Sequence, residues 1–129
     1  HYAGRRILLV DDDPVNLAVA QSLLVDVGLR VDTAGDGIDA ISLASENVYA
    51  LILMDVQMPQ MDGLEATRLI RTLPAYRDTP VVALTANAFA EDKANCLEAG
   101  MNDFIVKQVA PDVLFERVLK WLESTHKSG

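Results

Sequence analysis

The chain has 129 residues, a length that fits one domain with a hydrophobic core of its own. Half of the residues are hydrophobic and the net charge is −8, with lysine and arginine scattered along the chain. This acidic balance argues against direct binding of nucleic acid, which normally needs a basic surface. No apolar run approaches the roughly 18 residues that suggest a membrane span, and no signal peptide is recognisable, so we expect no membrane contact. The single cysteine, Cys96, excludes an intrachain disulfide and favours a reducing, cytoplasmic setting.

Short apolar runs alternate with helical patterns along the whole chain. The predicted strands are 6–10, 31–34, 50–54, 80–84 and 104–106. The predicted helices are 14–27, 37–47, 63–73, 88–99 and 112–123. Most of the strands are nearly continuous in apolar residues, as is typical of strands with helices on both faces. We therefore predict an α/β fold of the flavodoxin-like type, with five parallel strands in the order 2-1-3-4-5 and helices on both faces of the sheet.

Several helix ends carry recognisable capping signals. Asp13 before Pro14 predicts an N-cap with proline at the first helical position. Asp62, followed in the next turn by Glu65, resembles a capping box. The glycines predicted to follow helix C-termini are Gly28 and Gly100.

Polar side chains follow four of the predicted strands at their carboxyl ends. Strand 1 is followed by Asp11 and Asp12, strand 3 by Asp55, strand 4 by Thr85 and strand 5 by Lys107. Ligands of such sheets bind at this edge, near the switch point between strands 1 and 3. Three carboxylates would repel one another there unless a cation lay between them. Oxygen ligands without histidine or cysteine select Mg²⁺, Mn²⁺ or Ca²⁺, and a few carboxylates with room for phosphate favour Mg²⁺.

The same residues predict a chemical role for Asp55. A carboxylate beside a cation, a lysine and a hydroxyl can act as a nucleophile toward a phosphoryl group, because the positive charges stabilise the transferring oxygens. The residues thus indicate an aspartate that forms an acyl phosphate. Each also has an ordinary alternative: a solvated loop carboxylate for the aspartates, a cap for Thr85 and a surface charge for Lys107.

Over about residues 5–123 the chain resembles a receiver domain of the two-component response-regulator family, with 1–4 and 124–129 as tails. The resemblance rests on ILLVDDDPVN, LILMDVQMPQMDG, VVALTANAFAED and AGMNDFIVK. These motifs are most similar to those of receivers in hybrid sensor histidine kinases. The resemblance implies a domain that takes a phosphoryl group from a histidine kinase or histidine phosphotransfer domain, catalyses its own phosphorylation and dephosphorylation, and switches conformation. A hybrid kinase would be membrane-anchored while its receiver stays cytoplasmic.

The resemblance implies a role for individual residues. Asp55 is the phosphoacceptor, and Asp11 and Asp12 hold Mg²⁺ together with Asp55 and the backbone carbonyl of Gln57. Lys107 pairs with the phosphoryl group.

Three further residues are implied in switching and hydrolysis. Thr85 and Phe104 are the switch pair, although Phe104 is equally well explained as a core residue of strand 5. Gln57 and Asn87 fall where the family tunes hydrolysis of the acyl phosphate.

The resemblance also implies a docking surface on helix 1 for a histidine-bearing helical domain. The outward side of this helix carries little charge, so we expect apolar contact to dominate there. The residues on that side are Ala18, Gln21, Ser22 and Val25.

Other functions fit these residues less well or stay open. A haloacid-dehalogenase-type phosphatase would want a second aspartate two residues after Asp55, where this chain has Gln57. A flavodoxin-like cofactor binder would need a phosphate-cradling loop after strand 1, where this chain has carboxylates. A degenerate receiver that serves as an interaction module, a stand-alone single-domain response regulator and weak homodimerisation all remain open.

The chain departs from the family pattern at Gln108, where receivers usually have proline joined by a cis peptide bond. A cis bond before a residue other than proline costs about 2.5–4 kcal/mol. We therefore expect the Lys107–Gln108 peptide to be trans and the Lys107 amine to be held less firmly.

Overall fold

The computed structural model describes residues 5–56, 61–85, 90–106 and 111–128. Within these ranges the strands β1 to β5 are Arg6–Val10, Arg30–Ala34, Leu51–Asp55, Val81–Thr85 and Asp103–Val106. The helices α1 to α5 are Pro14–Asp26, Gly37–Glu46, Gly63–Arg71, Ala90–Ala99 and Pro111–Ser128. A short 3-10 helix, Pro74–Tyr76, lies between α3 and β4. Among the described helices, none combines the length and the apolar character needed to cross a membrane.

All five strands belong to one parallel sheet in the order β2-β1-β3-β4-β5. This confirms the order predicted from the alternation of strands and helices. Val10 of β1 lies beside Met54 of β3, and Asp55 lies beside Leu84 of β4. The carboxyl ends of the three central strands are therefore level, which places the residues at and just after these ends side by side.

Two separate hydrophobic cores cover the two faces of the sheet. One core contains buried residues of α2, α3 and α4, and the other contains buried residues of α1 and α5. Alternation along β1 shows the division, because Leu8 and Val10 belong to the first core while Ile7 and Leu9 belong to the second. The predicted placement of helices on both faces is confirmed.

The helix ends follow the capping signals in the sequence. The Asp13 side chain accepts a hydrogen bond of 2.9 Å from the backbone amide of Val15. The Asp62 side chain accepts one of 2.9 Å from the amide of Glu65, as the first half of a capping box requires. The two glycines predicted to follow helices have positive φ, 94° at Gly28 and 105° at Gly100.

Two helices end two or more residues away from their predicted ends. Helix α3 ends at Arg71 rather than at residue 73, because a residue before proline disfavours helical geometry and the 3-10 helix begins at Pro74. Helix α5 continues to Ser128, beyond its predicted end at residue 123. The sequence between 123 and 128 contains neither glycine nor proline, which leaves nothing to end the helix there.

Arg71, the last residue of α3, connects two loops at the amino edge of the sheet. Its guanidinium donates to the backbone carbonyls of Tyr76 at 2.6 Å and Thr79 at 2.5 Å, both before β4. It also donates to the carbonyl of Gly100 at 2.7 Å and to the side chain of Asn102 at 2.7 Å, both before β5. Burial lowers the pKa of this group. The bonds compensate for its partial loss of water.

A second polar network lies at the same edge around Asp32 of β2. Its carboxylate accepts hydrogen bonds from the Tyr49 hydroxyl at 2.7 Å and from Arg6 at 3.2 Å, and Arg6 also donates to Asn47 at 3.0 Å. Tyr76 donates to the carbonyl of Asn47. The bond from Tyr49 is the main cause of a lowered pKa at Asp32, while burial and this bond raise the pKa of Tyr49. The network joins β1, β2 and the loop before β3.

We expect Tyr49→Phe to lower the free energy of unfolding by about 1 kcal/mol at pH 7, because it removes a hydrogen bond to a carboxylate. The folded-state pKa of Asp32 lies below its unfolded value, so this stabilisation is present above the unfolded pKa and is lost as the pH falls through the folded one. Urea unfolding of both proteins at pH 7 and pH 3 measures the difference. An equal loss at both pH values would contradict the assignment of Asp32 as the partner that matters.

Candidate functional site

Three aspartates meet at the carboxyl edge of the sheet. Carboxylate oxygens of Asp11, Asp12 and Asp55 all lie within 4.8 Å of one another. Asp55 is only 1% exposed and Asp11 only 3%, whereas Asp12 is exposed to solvent. The structure thus brings together three of the predicted site residues from two separate strands, with two buried carboxylates facing one exposed carboxylate.

The turn from β1 into α1 fixes Asp11. Its backbone amide donates to the carbonyl of Ala34 at 3.1 Å, which continues the pairing of β1 with β2. Its carboxylate accepts a hydrogen bond of 2.9 Å from the amide of Asp13. Asp13 in turn caps α1, as the sequence predicted. The neighbouring Asp12 belongs to the acidic cluster instead.

Asp55 is held by hydrogen bonds on both sides of its strand. The following residue, Val56, donates its amide to the carbonyl of Leu84 at 3.0 Å and accepts from the amide of Gly63 at 2.9 Å. The side chain of Thr67, which is fully buried, donates to the carbonyl of Gly63 at 2.7 Å. The carboxyl end of β3 is therefore attached both to β4 and to the first turn of α3.

Gly63 and Thr67 were not predicted as site residues. The sequence did contain one indication: Gly63 directly follows the Asp62 cap and is the first residue of the helix. Glycine is a poor helix former, so its presence there suggests that a larger side chain would not fit.

The remaining predicted residues divide into those the structure describes and those it does not. Thr85 is the last residue of β4, is 8% exposed and lies beside Val106 of β5. Phe104 of β5 is partly buried and packs against the core formed by α2, α3 and α4, which supports its role as a core residue. The predicted roles at Gln57, Asn87 and Lys107, and the expected trans peptide at Gln108, lie outside the described residues and stay predictions.

An apolar cavity of about 290 Å³ lies beside the acidic cluster, between α1, the sheet and α5. Asp11 and Asn16 supply its polar lining, and most of the remainder is aliphatic. Val19 of α1 and Val106 of β5 line the cavity and are 56% and 38% exposed. Apolar surface is therefore open to solvent next to the buried carboxylates.

The fold and the acidic cluster agree with comparisons to known proteins. The profile of the response regulator receiver domain matches residues 7–119. The chain belongs to the response regulator receiver family. This confirms the resemblance in the sequence and disfavours the phosphatase and flavodoxin-like alternatives.

Curated relatives of this receiver domain are much longer sensor kinases. The sensor protein GacS of Pseudomonas syringae pv. syringae is 44% identical over 119 residues, which are 90% of this chain and 13% of that protein. The sensor histidine kinase RcsC of Escherichia coli K12 is 41% identical over 122 residues, which are 95% of this chain and 13% of that protein. The receiver domain thus spans about an eighth of the length of these relatives and is homologous to the receivers of hybrid histidine kinases.

Solved structures show the same architecture. A receiver domain of a sensor histidine kinase from Pseudomonas aeruginosa PAO1, described with a magnesium ion coordinated in its active-site cleft, has a TM-score of 0.88 and 44% identity, covering 94% of this chain and 99% of that one. The chemotaxis protein CheY4 of Vibrio cholerae has a TM-score of 0.89 and 30% identity, covering 92% and 98%.

The donor set of the acidic cluster fits a hard divalent cation. All three side chains offer carboxylate oxygens, and crowded carboxylates favour a bound positive charge between them. The exposed Asp12 leaves the cluster accessible from solvent. The receiver domain therefore contains an acidic cluster that could bind a metal.

We expect Mg²⁺ to raise the melting temperature of the wild type more than that of Asp12→Ala, because the variant loses one ligand. At ten times the dissociation constant, one bound ion adds about 1.4 kcal/mol of stability. Differential scanning fluorimetry with and without Mg²⁺ measures both shifts.

Asp13→Ala is the matched control for this experiment. It removes a neighbouring carboxylate that caps α1 and lies outside the cluster, so it should lower the melting temperature but keep the full shift with Mg²⁺. Equal shifts in the wild type and Asp12→Ala would exclude the cluster as the main site.

Proposed function

We propose that this receiver domain accepts a phosphoryl group on Asp55 from a phosphohistidine of a partner domain. The observation that carries the proposal is the deep burial of Asp55 at the carboxyl edge, within 4.8 Å of two other carboxylates. Carboxylates gathered this closely favour a cation between them. Family membership supports the same chemistry.

Several residues of the chain would have distinct roles in this reaction. A carboxylate oxygen of Asp55 attacks the phosphorus of a phosphohistidine whose other ring nitrogen is protonated. The bond from phosphorus to the donor nitrogen breaks and its electron pair stays on that nitrogen, so the products are an acyl phosphate and a neutral imidazole. Asp11 and Asp12, with Asp55, would hold Mg²⁺. When bound, Mg²⁺ supplies positive charge for the phosphoryl oxygens. The buried hydroxyl of Thr85, at the end of the neighbouring strand, would donate to one of these oxygens.

Four sequence-based assignments complete this proposal. Lys107 would pair with the phosphoryl group, and Gln57 would add a backbone ligand to the cation. Gln57 and Asn87 would tune hydrolysis, and Thr85 with Phe104 would respond to phosphorylation. The switch role of Phe104 would require its core contacts to change.

We further propose that the domain is the receiver of a cytoplasmic region in a longer hybrid sensor kinase. The support is the identity of 41–44% to receiver segments that make up 13% of such kinases. An interaction module without phosphorylation would have no use for three adjacent carboxylates, and their presence favours the phosphoacceptor. A stand-alone regulator would have the same site. It would differ from the receiver of a hybrid kinase only in that its gene encodes no kinase region.

The surface of α1 is the proposed docking site for the histidine-bearing domain. Val15 and Val19, one helical turn apart, are 66% and 56% exposed, and Val25 farther along is 49% exposed. Val19 also lines the cavity beside Asp11, so a helix that covers these valines comes close to the acidic cluster. Ala18 and Ser22 of the predicted surface are exposed as well, whereas Gln21 is partly buried and its side chain donates to the carbonyl of Val31 of β2 at 3.4 Å. We expect apolar contact to dominate.

We expect acetyl phosphate with Mg²⁺ to add one phosphoryl mass to the wild type and none to Asp55→Asn. The amide cannot form the acyl phosphate, so the loss should be complete. Intact-protein mass spectrometry measures the product. Asp39→Asn, at an exposed position in the first turn of α2, is the control and should gain the mass at the wild-type rate. Wild-type phosphorylation of Asp55→Asn would refute the assignment.

We expect the double variant Val15→Ser and Val19→Ser to slow phosphoryl transfer from phosphorylated histidine phosphotransfer domains by about tenfold or more. Burial of a valine contributes about 1.5 kcal/mol or more, and that contact would be lost. Transfer from a panel of such domains, followed by loss of label from the donor, measures the effect at low and moderate salt.

The control is Val48→Ser, which alters an equally exposed valine, 67%, in the loop before β3 at the opposite edge of the sheet. It should leave transfer unchanged, and both variants should react normally with acetyl phosphate. Transfer that disappears at moderate salt in the wild type would indicate an electrostatic interface instead.

A further inference from the structure

The first residue of α3 has no room for a side chain. A Cβ atom placed on Gly63 would lie 2.0 Å from the carbonyl oxygen of Asp55, 2.9 Å from its carbonyl carbon and 3.0 Å from Cγ of Met54. The first two are backbone atoms of β3, so they cannot rotate away as a side chain would. Any residue larger than glycine must therefore push α3 and the end of β3 apart.

This close approach is fixed from both directions. The amide of Gly63 donates to the carbonyl of Val56 at 2.9 Å, which joins α3 to the end of β3. Within α3, the buried hydroxyl of Thr67 donates to the carbonyl of Gly63 at 2.7 Å and fixes the first turn of the helix. On the other side of the strand, the amide of Val56 donates to Leu84 of β4 at 3.0 Å. The backbone of Asp55 consequently lies between the first turn of α3 and the neighbouring strand, with hydrogen bonds on each side.

The constraint is specific to this glycine among those near the carboxyl edge. A Cβ atom on Gly35, after β2, would meet nothing within 4 Å. One on Gly37, at the start of α2, would meet Met61 at 3.1 Å, in part through its flexible side chain. Only at Gly63 does the missing Cβ coincide with the backbone of the proposed phosphoacceptor.

We propose that Gly63, held by Thr67, is a positioning residue that sets the Asp55 carboxylate within the acidic cluster. This inference rests on the proposed function of Asp55 for its kinetic part, but its geometric part concerns only the three carboxylates. The contact between Gly63 and the backbone of Asp55 acts on the carboxyl end of β3. Asp11 and Asp12 follow the carboxyl end of β1. A shift of β3 therefore changes the spacing of Asp55 from both of them.

The test compares three alanine variants at one edge of the molecule. Gly63→Ala requires a displacement of about 1 Å to reach an ordinary contact, and a misplacement of that size can slow a reaction about 100-fold. We expect weaker Mg²⁺ binding, measured from amide chemical shifts, and phosphorylation by acetyl phosphate slower by about that factor. Gly35→Ala should match the wild type in both measurements, and Gly37→Ala should fall between the two.

Thr67→Val keeps the proposal testable if Gly63→Ala does not fold. It removes the hydroxyl with little change in shape, and we expect a smaller effect in the same direction on Mg²⁺ affinity and on rate, reversed in Thr67→Ser. Tyr49→Phe, which loses stability at the opposite edge, controls for stability alone and should retain wild-type values of both.

The possible outcomes separate the two proposals. Wild-type Mg²⁺ affinity and rate in a folded Gly63→Ala, or in Thr67→Val where Gly63→Ala does not fold, would overturn the positioning role. If the wild type binds Mg²⁺ but is not phosphorylated, the proposed function fails, and a weakened Mg²⁺ site in the same variants still supports the positioning role.

Discussion

Mutual repulsion of three carboxylates is the constraint on which the arrangement of this receiver domain depends. At 4.8 Å, the upper limit of the distances between their oxygens, and an effective dielectric constant of 20, two ionised carboxylates would repel by roughly 3.5 kcal/mol. Two of the three groups are buried and have little access to water. The rest of the fold must keep them together, and backbone hydrogen bonds at the ends of β1 and β3 contribute to this.

Other sources of stability lie away from this site. Two apolar cores cover the opposite faces of the sheet, and two polar networks, around Arg71 and around Asp32, join its amino edge. The carboxyl edge, by contrast, carries the acidic cluster and exposed valines of α1. Among the described residues, the two polar networks thus lie at the edge of the sheet opposite the acidic cluster.

The sequence was sufficient to predict the sheet order and the meeting of Asp11, Asp12 and Asp55. These depend on local patterns: apolar runs, capping residues and polar residues at strand ends. The length of α5, the bonds of Arg71 and the contact of Gly63 with Asp55 were not predicted. The first depends on the absence of a stop signal, and the other two depend on approaches between distant segments that periodicity does not encode.

The bonding of Arg71 has a consequence for how this chain can diverge. Because it contacts Thr79 and Gly100 through their carbonyl oxygens, the side chain at 79 could change without loss of these bonds. The arginine itself could not, since lysine has no planar fork with which to reach several acceptors at once. Gly100 is equally restricted by its positive φ and by Cγ of Arg71, 3.1 Å from where a Cβ would lie. Evolutionary drift in these loops should therefore leave one arginine and one glycine as a linked pair.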